Sequence, residues 1–172
     1  MRRLLVFASV GVLALSACDR REAARRPDAT PSKPAEAAFR HWLSADVSGD
    51  YRPIAGAEAE GDGRVAGLFV GQEAAFRAWE AGDRASAPLI LTLAGPDGPV
   101  QVLPTTYEVS GDVLRFTGAL PSGGEVAVRG RIDQGALATA RRNLGDTTPV
   151  VTGVLAADGR SVPFSLGRWG GD

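Results

Sequence analysis

From Pro88 to the C-terminus the chain is a succession of short alternating apolar segments separated by tight turns, and that spacing restricts how they can pair. Leu89–Leu93 and Val100–Leu103 flank Gly95-Pro96-Asp97-Gly98, Thr106–Val109 and Val113–Thr117 flank Ser110-Gly111-Asp112, and Val150–Leu155 and Ser161–Leu166 flank Asp158-Gly159. Each reads as a β-hairpin. Turns this short cannot make the crossover that parallel neighbours need, so the hairpins predict antiparallel pairing. Glu125–Ile132 alternates with Val126, Val128 and Ile132 on one face. Pro163 pushes the last strand toward an edge or a bulge, because proline brings no backbone donor. Val47–Pro53 and Arg64–Val70 are further expected strands.

A sheet with one apolar face needs a cover, and amphipathic helices supply it. Gln72–Ala81 places Phe76 and Trp79 at helical spacing before a stop at Gly82, and Glu36–Leu43 does the same with Phe39, Trp42 and Leu43. These segments share a local sequence, Glu36-Ala37-Ala38-Phe39-Arg40-His41-Trp42 against Glu73-Ala74-Ala75-Phe76-Arg77-Ala78-Trp79. Their flanks differ and no third copy follows, which favours a shared helix-docking stripe over a repeat array. Asp133 is placed to cap a third helix from Gln134 to about Asn143, ended by Gly145. The expected fold is α+β: a curved antiparallel β-sheet or small open barrel built from hairpins, with two or three short helices packed on it.

The N-terminus has a different character. Arg2 and Arg3 precede an apolar run, Leu4–Leu15, interrupted only by Ser9 and Gly11. That run is shorter than the roughly 20 apolar residues of a permanent span. Leu15-Ser16-Ala17-Cys18 follows, small residues and then a cysteine, in the order of a secretory signal. The segment resembles the bacterial lipobox over residues 1–18. The resemblance implies cleavage between Ala17 and Cys18, diacylglycerol on the Cys18 sulfur and often acylation (palmitate) of the new amine. The chain is then expected to be a lipoprotein anchored to a bacterial cell membrane, its domain facing the periplasm. Asp19 resembles the inner-membrane retention signal of enteric lipoproteins and favours that membrane. Two acyl chains anchor stably where one is marginal, since each buried methylene contributes about 0.8 kcal/mol.

Residues 18–38 read as a lipidated cysteine and flexible tether, with Pro27, Pro31 and Pro34 among small and charged residues, and residues 39–172 as a single globular domain. Arg20, Arg21, Arg25 and Arg26 would lie near the headgroups, offset by Asp19, Glu22 and Asp28. Without residues 1–17 the chain carries 17 basic and 20 acidic residues, a net charge of −3. That sign and the lack of a basic stripe argue against nucleic acid as a partner. Cys18 is the sole cysteine, so the domain forms no internal disulfide and depends on its core.

His41 is the only histidine, and no Gly-x-Ser-x-Gly elbow exists for it to serve. It is expected at the surface of a docking helix, and with no free cysteine a zinc set cannot be assembled. Glu58, Glu60 and Asp62 stand at positions 1, 3 and 5 of a calcium-like acidic turn with Gly63 at 6, yet position 12 falls on Phe69, which cannot ligate. Gly61-Asp62-Gly63 lacks the strand a phosphate loop requires. Asp46, Asp50, Asp112, Asp133 and Asp146 sit at turns or caps, which is ordinary for aspartate. Tyr51 and Arg52 beside Asp50 either line a pocket or decorate a strand end. Arg141 and Arg142 end the third helix, and with Trp169 they form the expected partner surface. No catalytic residue and no cofactor is expected. The leading functional expectation is a non-catalytic binding module meeting an envelope protein or cell-wall component. A carrier of a small apolar ligand comes second and a carboxylate hydrolase third.

Overall fold

The computed structural model describes residues 39–54, 61 and 63–171, so Cys18, the tether and the Glu58, Glu60, Asp62 turn lie outside the described residues. Ten strands and two helices follow one another as β1 (Phe39–Trp42), β2 (Gly49–Pro53), β3 (Val65–Val70), α1 (Glu73–Glu80), β4 (Leu89–Gly95), β5 (Gly98–Val102), β6 (Pro104–Ser110), β7 (Val113–Ala119), β8 (Glu125–Ile132), α2 (Gln134–Arg142), β9 (Val151–Ala157) and β10 (Arg160–Arg168). One sheet takes them all, in the order β1-β6-β7-β8-β9-β10-β2-β3-β4-β5. Only Leu103 separates β5, at one end of that order, from β6, next to the other end. The ends therefore come together in space and the sheet curls into a half-barrel.

All three hairpins form. In the Asp158-Gly159 turn both residues are at positive φ (50° and 72°), the conformation that matches strand twist in a two-residue loop. Pro163 pairs with Val154 of β9, whereas β2 pairs with β10 only from Leu166 to Arg168. The missing donor thus falls where the second side of β10 has no described strand partner. Inside the curl, alternate residues of each strand make the core, among them Tyr51, Leu68, Leu91, Val102, Leu114, Phe116, Val128, Leu155 and Leu166.

The helices follow β3 and β8, and both start at the end of the sheet where those strands finish. α1 buries Phe76 and Trp79 and stops in a Schellman arrangement: Gly82 at φ 97° donates to the Trp79 carbonyl (3.0 Å), and Asp83 N–H donates to that of Ala78 (2.9 Å). α2 starts on Asp133, whose Oδ1 accepts from Ala136 N–H at 2.9 Å, and buries Ala136, Leu137 and Ala140. Asp133→Ala is expected to lower stability by about 1 kcal/mol, the usual worth of an N-cap, read as a lower denaturant midpoint with unchanged slope.

The expected first helix and the all-antiparallel sheet are corrected. Glu36–Leu43 is not helical where it is described: Phe39–Trp42 is strand β1, which pairs parallel to β6, Phe39 opposite Tyr107 and Trp42 opposite Ser110. The sheet is therefore mixed rather than antiparallel. The edge of β6 takes up the backbone hydrogen bonds of this segment. In this register Phe39 and His41 turn inward and Arg40 and Trp42 outward. Two helices pack on the sheet among the described residues, within the expected two or three.

Candidate binding surface

His41, expected at the surface of a docking helix, instead stands in a strand with its side chain only 9% exposed. Its Nδ1 lies 2.8 Å from Glu80 Oε1, and its ring stacks on Phe76 with centroids 5.4 Å apart. The Tyr107 hydroxyl donates to the same Glu80 oxygen at 3.2 Å. Phe39 meets Tyr107 at 5.1 Å and Trp79 edge-on at 6.3 Å, and Arg84 lies over Trp79. Burial, with the Glu80 carboxylate adding to it, pushes the Tyr107 hydroxyl well above its ordinary value. This polar and aromatic seam fastens α1 to β1 and β6. None of the three described cavities is lined by His41, Glu80 or Tyr107, so the seam reads as architecture.

At the end of the sheet that carries the helices, Asp46 accepts from Ser48 N–H at 2.8 Å and pairs with Arg141 Nη2 at 3.0 Å. Partial burial raises the Asp46 carboxyl, but the Ser48 hydrogen bonds and the Arg141 guanidinium outweigh it and hold the group below its usual range. Arg141 also donates to the Ser48 carbonyl at 3.3 Å, so it is occupied in pinning α2 to the turn before β2. Arg142 is exposed and reaches Thr139. Below them Tyr51 is fully buried, and its hydroxyl donates to the Val47 carbonyl at 2.6 Å. Burial pushes that hydroxyl up to about 12.

The outer face of β10-β2-β3-β4-β5 is different. Because Tyr51, Leu68, Leu91 and Val102 point inward, the residues between them point out. The register sets them in two adjacent rows. Trp169, whose N–H bonds the Asp50 carbonyl at 2.8 Å, stands with Asp50, Phe69 and Ile90; Gly167 stands with Arg52, Gly67, Thr92 and Gln101. The two glycines leave low ground on either side of Arg52. A groove of about 560 Å³ crosses this face, with Asp50, Arg52, Phe69, Ile90, Thr92 and Gln101 among its lining residues. A smaller one of about 150 Å³ lies beyond, against Ile54, Asp146, Thr147, Gly167 and Trp169, and Arg52 borders both. The Arg52 guanidinium lies over the Trp169 ring, its Cζ 3.4 Å from the ring centroid. Stacking fixes the plane of the guanidinium while its N–H edge remains available to a ligand. Phe69, 36% exposed, is the largest apolar side chain facing solvent in the wider groove. The third cavity, about 360 Å³, is formed by residues 43–46 with Gln72 and Glu73.

Of the expected partner surface, then, Trp169 joins this face, half-buried under Arg52, while Arg141 and Arg142 lie outside the groove's lining. Tyr51 and Arg52, with Asp50 beside them, are among the residues lining a pocket. Phe69, Ile90, Thr92 and Gln101 escaped sequence reasoning, although Phe69 carried a signal: an aromatic residue in the outward phase of a strand whose inward phase is Leu68 and Val70. Among the described residues no group of three or more His, Cys, Asp or Glu side chains is placed to hold a metal ion. No family model, curated protein or solved structure matches the chain.

Proposed function

We propose that this chain is a lipid-anchored protein of the bacterial envelope whose β domain is a binding module, the outer face of β10 and β2–β5 being its contact surface. The observation that carries the reading is the groove lined by Arg52 and Phe69, with Arg52 oriented by Trp169. A preset cation and an exposed aromatic ring on one rigid sheet are the residue types that dominate recognition surfaces. A carrier function is less well supported. The interior of the curl is filled by side chains such as Tyr51, Phe116, Leu114 and Leu155, and the cavities described are open at the surface. Hydrolysis by paired carboxylates has no support in Asp46, which is committed to Arg141 and Ser48.

The anchor belongs to the same reading and rests on the lipobox-like Leu15-Ser16-Ala17-Cys18 and the proline-bearing tether after it. Cys18→Ser is expected to abolish incorporation of a palmitate analogue and to move the chain from the membrane fraction to the soluble one. Unchanged labelling would refute the lipid assignment. For the surface, Arg52→Glu combined with Phe69→Ala is expected to reduce recovery of the anchored chain with envelope material by about tenfold or more, as loss of two central contacts does. Equal recovery would refute the groove.

A further inference from the structure

We propose that the groove across β2–β5 is a saccharide site that takes a neutral oligosaccharide strand lying across the strands. This rests on the binding-module reading above and names the ligand class for the same surface. Neighbouring strands lie about 4.8 Å apart, so the outer rows from β10 to β5 offer a track of about 19 Å, long enough for several sugar rings in line. Along it the structure places an aromatic face at Phe69 and planar hydrogen-bonding groups at Asp50, Arg52 and Gln101, with the Thr92 hydroxyl between.

That mixture fits a sugar better than the alternatives. The C–H face of a pyranose is apolar and positively edged, and it packs on an aromatic ring whose face is negative. Its hydroxyls come in adjacent pairs, each both donor and acceptor, and match the two-atom forks of carboxylate, guanidinium and carboxamide. Among the described residues one carboxylate and one guanidinium line the groove, so they offer no net charge to attract a polyanion or a polycation. A peptide adding as a further strand would have to pair with β5, the terminal strand of the sheet, and Pro99 interrupts the donors of that edge.

The test uses the intact chain purified in detergent and a tetramer of N-acetylglucosamine, with amide shifts and Trp169 fluorescence as readouts. Binding is expected to shift the amides of β2–β5 and to saturate. Phe69→Ala is expected to weaken it about tenfold, and Gln101→Ala by a smaller factor, with the unfolding midpoint checked for each. No saturable binding by the parent chain overturns the proposal, as does binding that both variants leave unchanged. An acidic peptide that binds the groove when the tetramer does not also overturns it. The two readings separate in the same experiment. If the tetramer fails to bind while Arg52→Glu with Phe69→Ala still lowers envelope association, the saccharide assignment falls and the binding module stands. If association is also unchanged, both fall.

Discussion

Gly153→Ala is expected to destabilise the domain by about 3 kcal/mol, at the upper end for overpacking and far beyond what one exposed methyl group does elsewhere. Gly153 in β9 stands opposite Gly130 in β8 and opposite Phe164 in β10. A Cβ at 153 would overlap the Arg129 carbonyl oxygen, lie 2.7 Å from Gly130 Cα and lie 2.8 Å from Phe164 Cζ. Two of those three obstacles are backbone of the neighbouring strand, so relief requires the β8–β9 ladder to open. Phe164 lies over this glycine pair and takes the room their missing side chains leave. The accompanying experiment is the double variant Gly153→Ala with Phe164→Ala. Removing the ring removes one of three clashes, so most of the loss is expected to remain, measured by urea unfolding. A Gly153→Ala protein of parental stability would contradict the described register of β8, β9 and β10.

The second large effect is alkaline unfolding. The chain has two tyrosines, Tyr51 and Tyr107, and both are buried with their hydroxyls raised above the ordinary value. Below pH 10 they are neutral in the folded and the unfolded chain and contribute no pH dependence. Above it the unfolded chain ionises first and binds fewer protons than the folded one, so stability falls as pH rises. With the Tyr51 hydroxyl held up to about 12, this residue alone removes about 3 kcal/mol by the time pH passes its folded value, at about 1.4 kcal/mol per unit. Tyr107 adds a further loss in the same direction. The tyrosinate absorbance band is expected to appear together with loss of β-sheet circular dichroism, in one step above pH 10. Gradual ionisation near pH 10 with the sheet intact would show that the hydroxyls are not enclosed. Tyr51→Phe removes one of the two protons and leaves the Val47 carbonyl without its donor, so its alkaline slope is expected to flatten while its neutral-pH stability drops.

Which parts of this architecture can be read from the chain follows from which interactions are local. The hairpins at 95–98, 110–112 and 158–159 and the capped helix after Asp133 carry their own turn and cap residues, and they stand where the sequence puts them. Strand β1 does not. Phe39-Arg40-His41-Trp42 and Phe76-Arg77-Ala78-Trp79 are nearly the same tetrapeptide, yet one is strand and the other helix. Both copies carry Glu and Arg at i,i+4, so that spacing does not separate them; the helical copy has a Gly82 stop, while the strand copy has the open edge of β6. Moreover, the two copies pack against each other, Phe39 on Trp79 and His41 on Phe76. A tertiary partner decided the outcome, and no window of local sequence contains it. The groove was half legible for a related reason. Asp50, Arg52 and Trp169 are conspicuous singly, but only the order β10-β2-β3-β4, which brings residue 169 beside residue 50, sets them in line with Phe69 and Ile90.

The central claim is that the outer face of β2–β5 meets the envelope, and the direct measurement is photo-crosslinking in the living cell from a photoreactive residue at position 101, in the groove, against one at position 129 on β8. The account predicts crosslinked envelope material from position 101, lost when Arg52→Glu and Phe69→Ala are added, and little from position 129. Equal crosslinking from both positions, or crosslinking at 101 that survives those substitutions, would contradict it.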